Sequence, residues 1–243
     1  MDMSSSTFPD PKQYGFPEWV KIGKYYFNAA DIISFGDELT VENVLEAYAK
    51  GIFPWHIPGL PLPWFCPASR AILRFEDLTV PRSLAKFFRN TDLVCTIDKA
   101  FREVIVSCAK VPRTHEAGTW ITDQFIDVYT EVHKKGHAHS VEVWDGDELV
   151  GGLYGVDAGG VFCGESMFFV RSNASKIALL TLVEHLKEQG SEWIDIQVMT
   201  PHFEKLGATE IPREVFLKEL ADVRSRGLKV FPGSAAAEDK IKN

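Results

Sequence analysis

GHAHSVEVWDGDELVGGLYGVDAGGVFCGESMFF, residues 136–169, contains three strand-like runs separated by two turn signals. Residues 139–144, 148–156 and 161–169 are rich in β-branched and aromatic side chains, which fit a pleated, packed surface. Asp145-Gly146-Asp147 reads as a tight hairpin turn, and Asp157 to Gly160 as the next. Ser172 or Asn173 then caps a long amphipathic helix that Gly190 ends, and Trp193–Val198 reads as one more strand. The hairpins must be antiparallel. A strand, helix, strand connection is most simply a right-handed parallel crossover. The expected fold is therefore α+β, a mixed sheet with helices packed on it.

Three polar residues interrupt these apolar runs. Glu165 sits in the third strand, where strict alternation puts it on one face with Cys163 and Met167. Asp195 and Gln197 share a face of the fourth strand, opposite Ile194, Ile196 and Val198. A carboxylate or amide set among apolar neighbours needs a structural partner or a chemical task. For Glu165 the partner would be an arginine or backbone amides, and the task would be holding an amine. For the pair, Asp195 could orient Gln197 or polarise an amine, and Gln197 could steady an oxyanion. Spacing leaves these readings open.

Working outward, Thr40–Lys50 has helical periodicity with Gly51 as its stop, and residues 1–38 read as irregular. Prolines 54, 58, 61, 63 and 67 make the following segment a rigid aromatic loop, unsuited to helix or central strand. Arg70–Phe75 is strand-like, 82–90 and 98–110 are helical, and Thr122 caps a helix running to Lys135. Short helices are expected after residue 198, and the tail from Gly233 has a disordered composition. Arg82, Lys86 and Arg89, at i, i+4 and i+7, put three cations on one helix face. That face is either solvated or made for RNA, with Trp55 and Trp64 as nearby stacking surfaces. His137 and His139 form an HxH without a third ligand at useful spacing, and read as packed histidines. Cys163 reads as a buried thiol, with catalysis from it and His139 the lesser alternative.

The chain's 243 residues, 45% of them hydrophobic and 25% charged, suffice for one large domain or a small one joined to a larger one. No basic and apolar leader is seen at the N-terminus, and no apolar run is long enough to span a bilayer, so no membrane association is expected. Four cysteines without a CxxC fit a reducing, cytoplasmic setting. A net charge of −8 argues against gripping nucleic acid over the whole surface, which leaves a local patch.

Nine phrases occur in register: GIFPW at 51–55, WFCPASRAIL at 64–73, GTWIT at 118–122, GHAHSVEVW at 136–144, LVGGLYGV at 149–156, FCGESMF at 162–168, NASK at 173–176, DIQV at 195–198 and LGATEIPR at 206–213. Together they resemble the leucyl/phenylalanyl-tRNA–protein transferase family over roughly residues 33–220. The resemblance implies a small N-terminal α/β domain (1–68) and an acetyltransferase-like (GNAT-type) mixed-sheet domain (69–232). It implies transfer of leucine or phenylalanine from aminoacyl-tRNA to the α-amine of proteins beginning with Arg or Lys, which marks them for degradation. No cofactor or metal is implied. Trp55 and Trp120 would contact the terminal adenosine and aminoacyl group. Glu165 would be the pocket carboxylate, with Phe162 and Met167 as apolar wall. Arg82, Lys86 and Arg89 would hold the tRNA acceptor end, and Asp195 and Gln197 would carry catalysis. Leu182 and Leu186 stand where the family pattern has phenylalanines, and Leu153 where methionine is common, so the pocket stays apolar but changes shape.

Two rivals remain. An acyl-CoA-dependent acetyltransferase would need a Gly-rich pyrophosphate loop before the helix at 174, where FFVRSN has none. A non-catalytic adaptor for tRNA or basic N-termini would not need Asp195 and Gln197.

Overall fold

In chain order, the first part folds as β1 (Trp19–Ile22), β2 (Tyr25–Asn28), β3 (Ile32–Phe35), α1 (Val41–Ala49), β4 (Phe53–Pro54) and β5 (Pro63–Phe65). Next come β6 (Ser69–Arg74), α2 (Arg82–Asn90), β7 (Val94–Ile97), α3 (Phe101–Lys110) and α4 (Asp123–Lys134). The chain continues with β8 (Ala138–Asp145), β9 (Glu148–Asp157), β10 (Phe162–Phe169), α5 (Ala174–Glu188) and β11 (Trp193–Gln197). It closes with α6 (Pro201–Glu204), β12 (Thr209–Pro212) and α7 (Arg213–Arg226). This computed structural model describes residues 6–22, 25–111 and 119–232, so the tail from Gly233 lies outside the described residues.

The main sheet is mixed, with strand order β12-β6-β11-β10-β9-β8-β7. The meander β7 to β10 is antiparallel, and the turn expected at 145–147 tightens to Gly146-Asp147, since Asp145 pairs with Glu148. The α5 crossover makes β11 parallel to β10, as the strand, helix, strand pattern requires. One buried apolar cluster carries Val104, Tyr129 and Phe216 from α3, α4 and α7, and a second carries Ile177, Leu182 and Leu186 from α5. Gly151 explains how α5 docks so closely. A Cβ there would stand 2.5 Å from that of Ala174, in the first turn of the helix.

Several local expectations are corrected. The stretch before residue 38 holds three short strands, which Asp and Gly turns and aromatic content obscure. The proline-rich segment does contribute a central strand, because β5 lies between β3 and β4. Pro63 is tolerated as its first residue, where a missing N–H does least harm. Strands β7 and β12 add to the expected elements, and α7 is a 14-residue helix rather than a short one. Asn173 occupies the cap position of α5 in a left-handed conformation (φ 68°) and makes no side-chain capping bond.

The decisive irregularity lies where β10 and β11 meet. They share one registered pair, Cys163 with Asp195. Just beyond it, the register of β10 against β9 slips between Gly164 and Ser166, and that of β11 against β6 between Asp195 and Gln197. Two bulges on neighbouring parallel strands turn the chains apart and re-aim the side chains at the slip.

Candidate active site

The β10 bulge inverts the facing expected from alternation. Cys163 packs in the cluster beneath α3 and α4, whereas Met167 joins Phe162 against the cluster beneath α5. Glu165, the inserted residue, faces the opening between the strands. A cavity of about 510 Å³ occupies that opening, lined by Trp55, Leu153, Phe162, Glu165, Met167 and Leu182 among others. This volume suits a small ligand.

A connected polar chain lies at its edge. Gln197 donates its side-chain amide to Glu165 Oε1 at 2.5 Å, and the Tyr48 hydroxyl donates to the same oxygen at 2.6 Å. Tyr48 thereby spends its one proton, so the Tyr129 hydroxyl 2.8 Å away donates to Tyr48. Burial, then the neighbouring Glu165 charge, pushes the Tyr48 phenol well above its usual value, so it stays a donor. Burial pushes the Glu165 carboxyl up to about 7, against the hydrogen bonds from Tyr48 and Gln197, which favour its charged form. The site thus holds a carboxyl group that changes charge near neutrality.

Asp195 does not reach into this cavity as an acid or base. Both its oxygens are taken by Arg70, Nε at 2.8 Å and Nη2 at 2.6 Å, in a pair that is fully buried. The guanidinium lies between the Phe53 and Phe216 rings, 4.6 and 4.5 Å from their centroids. Asp195 Oδ1 also accepts the Gln197 backbone N–H at 2.8 Å. Asp195 therefore positions Gln197 through the main chain.

Residues 72–221 match the family profile described as leucyl/phenylalanyl-tRNA protein transferase, and residues 37–68 match the one for that protein's N-terminal domain. The chain belongs to this family. Likeness over about four fifths of the chain agrees with the profiles. The leucyl/phenylalanyl-tRNA–protein transferase of Pseudoalteromonas atlantica is 50% identical over 191 residues, covering 79% of this chain and 81% of that one. Its namesake in Pectobacterium carotovorum is 46% identical over 190 residues, 78% of this chain and 80% of the other. Among solved structures, that of L-PGS from Bacillus licheniformis aligns at a TM-score of 0.40 with 12% identity, over 77% and 71% of the two chains, a likeness too loose to carry any argument. Membership in the leucyl/phenylalanyl-tRNA–protein transferase family makes this an aminoacyltransferase, with aminoacyl-tRNA as donor and protein as acceptor.

The expected site residues of this family member fall into three groups. Trp55, Leu153, Phe162, Glu165, Met167, Leu182 and Gln197 line the cavity. Trp120 stands behind Trp55, their rings 5.6 Å apart, and Leu186 lies in the core beyond Leu182. Arg82, Lys86 and Arg89 are exposed on α2, without an ion pair among the described residues. Sequence reasoning missed Tyr48, Tyr129 and Arg70. Arg70 left a signal, a charge in one apolar strand answering Asp195 in another. The tyrosines left none, since each reads as part of an apolar helix face.

The catalytic alternative for Cys163 finds no support in the geometry. Burial pushes the Cys163 thiol well above its usual value, and His139 Nδ1 is bonded to Asp98 Oδ2 at 2.7 Å. Asp98, His133 and His139 lie close enough to share an ion, yet His133 Nδ1 donates to the Ala138 carbonyl at 2.8 Å.

Proposed function

We propose that the protein transfers leucine or phenylalanine, with methionine as a further hydrophobic group, from aminoacyl-tRNA to the α-amine of proteins that begin with Arg or Lys, creating a degradation signal in the cytoplasm. The observation that carries this reading is the Glu165 carboxyl, bridged to Gln197 at the margin of an apolar cavity. The apolar wall takes the aminoacyl side chain, and Trp55, backed by Trp120, offers a face to the terminal adenine. No helix among the described residues is long and apolar enough to cross a membrane.

The amine nitrogen attacks the ester carbonyl carbon, the new C–N bond forms, and the bond from that carbon to the ribose oxygen breaks. The amine's proton passes to the Glu165 carboxylate and then to the departing ribose oxygen, which leaves as a hydroxyl. Gln197 keeps Glu165 aimed, and Asp195, paired with Arg70, holds Gln197. An activated ester needs little more than alignment and charge stabilisation. The acidic Glu165 end of the cavity also suits an acceptor that begins with a cation.

We read the larger part, 69–232, as acetyltransferase-like (GNAT-type), on the parallel strands β10 and β11 that part beside the start of α5. The family profiles end and begin at residues 68 and 72, which supports a division there from the N-terminal part. Incubation with leucyl-tRNA and a peptide beginning with Arg should add one leucine by mass. Binding without transfer would favour an adaptor, and transfer only from acyl-CoA an acetyltransferase.

A further inference from the structure

Beside the aminoacyl cavity lies a second one of about 550 Å³, walled by the start of α2, the start of α5 and the short α6. Lys176 and His202 line both, so the two adjoin. Among the described residues, the second cavity has Lys176 and Lys205 on its walls and no carboxylate, in a chain of net charge −8. Neither lysine has an ion pair among the described residues, and Lys176 holds only the Asn173 side-chain oxygen at 3.3 Å. His202 Nε2 is buried with no hydrogen-bond partner among the described residues. Burial, then the charges of Lys176 and Lys205, keeps that imidazole below its usual value, so it is neutral. Pro81 and Asn173, which cap α2 and α5, make no side-chain bond to the first-turn amides. Phe87 adds a ring to one wall.

Resting on the aminoacyl-tRNA donor argued above, we propose that this second cavity receives the phosphodiesters of the donor's single-stranded 3′ end. Lys176 and Lys205 hold phosphate oxygens, Phe87 offers a stacking face, and His202 at the junction bonds a sugar hydroxyl. Cations that follow the backbone, with an aromatic ring for a base, make up a single-strand binding groove. The strand would enter from the exposed cations of α2 and reach the aminoacyl cavity past Lys176. This places on the RNA path two lysines and a histidine that lie outside the α2 stripe.

Binding of two non-hydrolysable donors tests it. One is 3′-phenylalanylamido-adenosine, which has no phosphodiester, and the other carries the same group on cytidylyl-cytidylyl-adenosine, which has two. The unaltered protein should bind the trinucleotide more tightly, with an advantage that shrinks as salt rises. In Lys176→Ala/Lys205→Ala that advantage should fall about tenfold. Lys205→Ala alone, at an exposed position, should take part of it with an unchanged melting temperature. An advantage absent from the unaltered protein, or undiminished in both variants, would overturn the proposal. Binding is read without turnover, so a failure of leucine transfer would count against the proposed activity and leave this comparison readable.

Discussion

Asp195 Oδ1 accepts the Gln197 backbone N–H at 2.8 Å, while Gln197 itself stands in the left-handed region at φ 64°. A non-glycine residue held there costs roughly 1–3 kcal/mol and persists only where its surroundings over-determine it. Here the surroundings are the buried Arg70 pair, which fixes Asp195, and the bulge that lets β11 turn. The strain aims the Gln197 amide at Glu165 instead of leaving it in the strand.

Replacing Gln197 by Gly should therefore separate strain from chemistry. Stability should hold or rise by up to about 1 kcal/mol, because glycine accepts positive φ, while turnover falls at least about tenfold. Urea unfolding and peptide-transfer rates measure the two. Asp195→Asn should behave differently and lose about 3–5 kcal/mol, since it strands the Arg70 charge in the core. An equal loss of tRNA affinity and turnover in Gln197→Gly would move Gln197 from chemistry to donor binding.

Glu165 sets the pH dependence. Its folded value of about 7 lies above the ordinary 4.5, so the fold favours the protonated form. The corresponding stability is present below the ordinary value and is lost as pH climbs from about 4.5 through about 7. Transfer should do the reverse, rising as Glu165 ionises near pH 7 and can accept the amine's proton. Glu165→Gln should flatten the stability profile over that window and lower transfer throughout. A rate profile that keeps its limb near 7 in this variant would assign the limb to another group.

Tyr48 should shift that limb without abolishing it. Tyr48→Phe removes a hydroxyl that donates to Glu165 at 2.6 Å and accepts from Tyr129. The carboxylate loses a donor, so its ionisation should move to higher pH, with about 1–3 kcal/mol of stability lost through the unpaired partner. The pH–rate profile and thermal unfolding of the variant report both. An unmoved limb would show that the tyrosine serves packing alone.

Periodicity and turn signals reach the hairpins of 139–169 and the α5 crossover, and residue type reaches the Thr122 cap of α4. Periodicity fails at Glu165 and Gln197 for one reason. A bulge adds a residue that alternation cannot see, and so alternation assigns Cys163 and Met167 to one face although they pack on opposite ones. Arg70 comes from β6 to meet Asp195 across 125 positions of chain, and Tyr48 comes from α1 to meet Glu165 across 117. The charge of Arg70 in an apolar strand asks for a partner without naming it, and Tyr48 carries no local mark at all.

The α2 stripe makes a separate electrostatic prediction. Arg82, Lys86 and Arg89 point outward and are exposed, so any role is towards a partner. Arg82→Glu/Lys86→Glu should weaken tRNA binding and lower the slope of affinity against salt by about 1 for each phosphate no longer held. Filter binding across a salt series measures it, and an unchanged slope would make the stripe a solvated face.

The two leucines of α5 should part ways when each is enlarged. Leu182 lines the cavity, whereas Leu186, one turn on, is enclosed in the core and does not reach it. In Leu182→Phe the added ring has open volume to enter, so the fold should tolerate it and the cavity should shrink. Transfer of phenylalanine should then drop more than transfer of leucine, since the bulkier donor group loses its room. In Leu186→Phe the ring has only packed neighbours to displace, which costs about 1–3 kcal/mol and leaves the donor ratio near that of the unaltered protein. Competition between leucyl- and phenylalanyl-tRNA, read beside the melting temperature, separates the two effects. A changed donor ratio in Leu186→Phe with unchanged stability would place that side chain in the aminoacyl pocket after all.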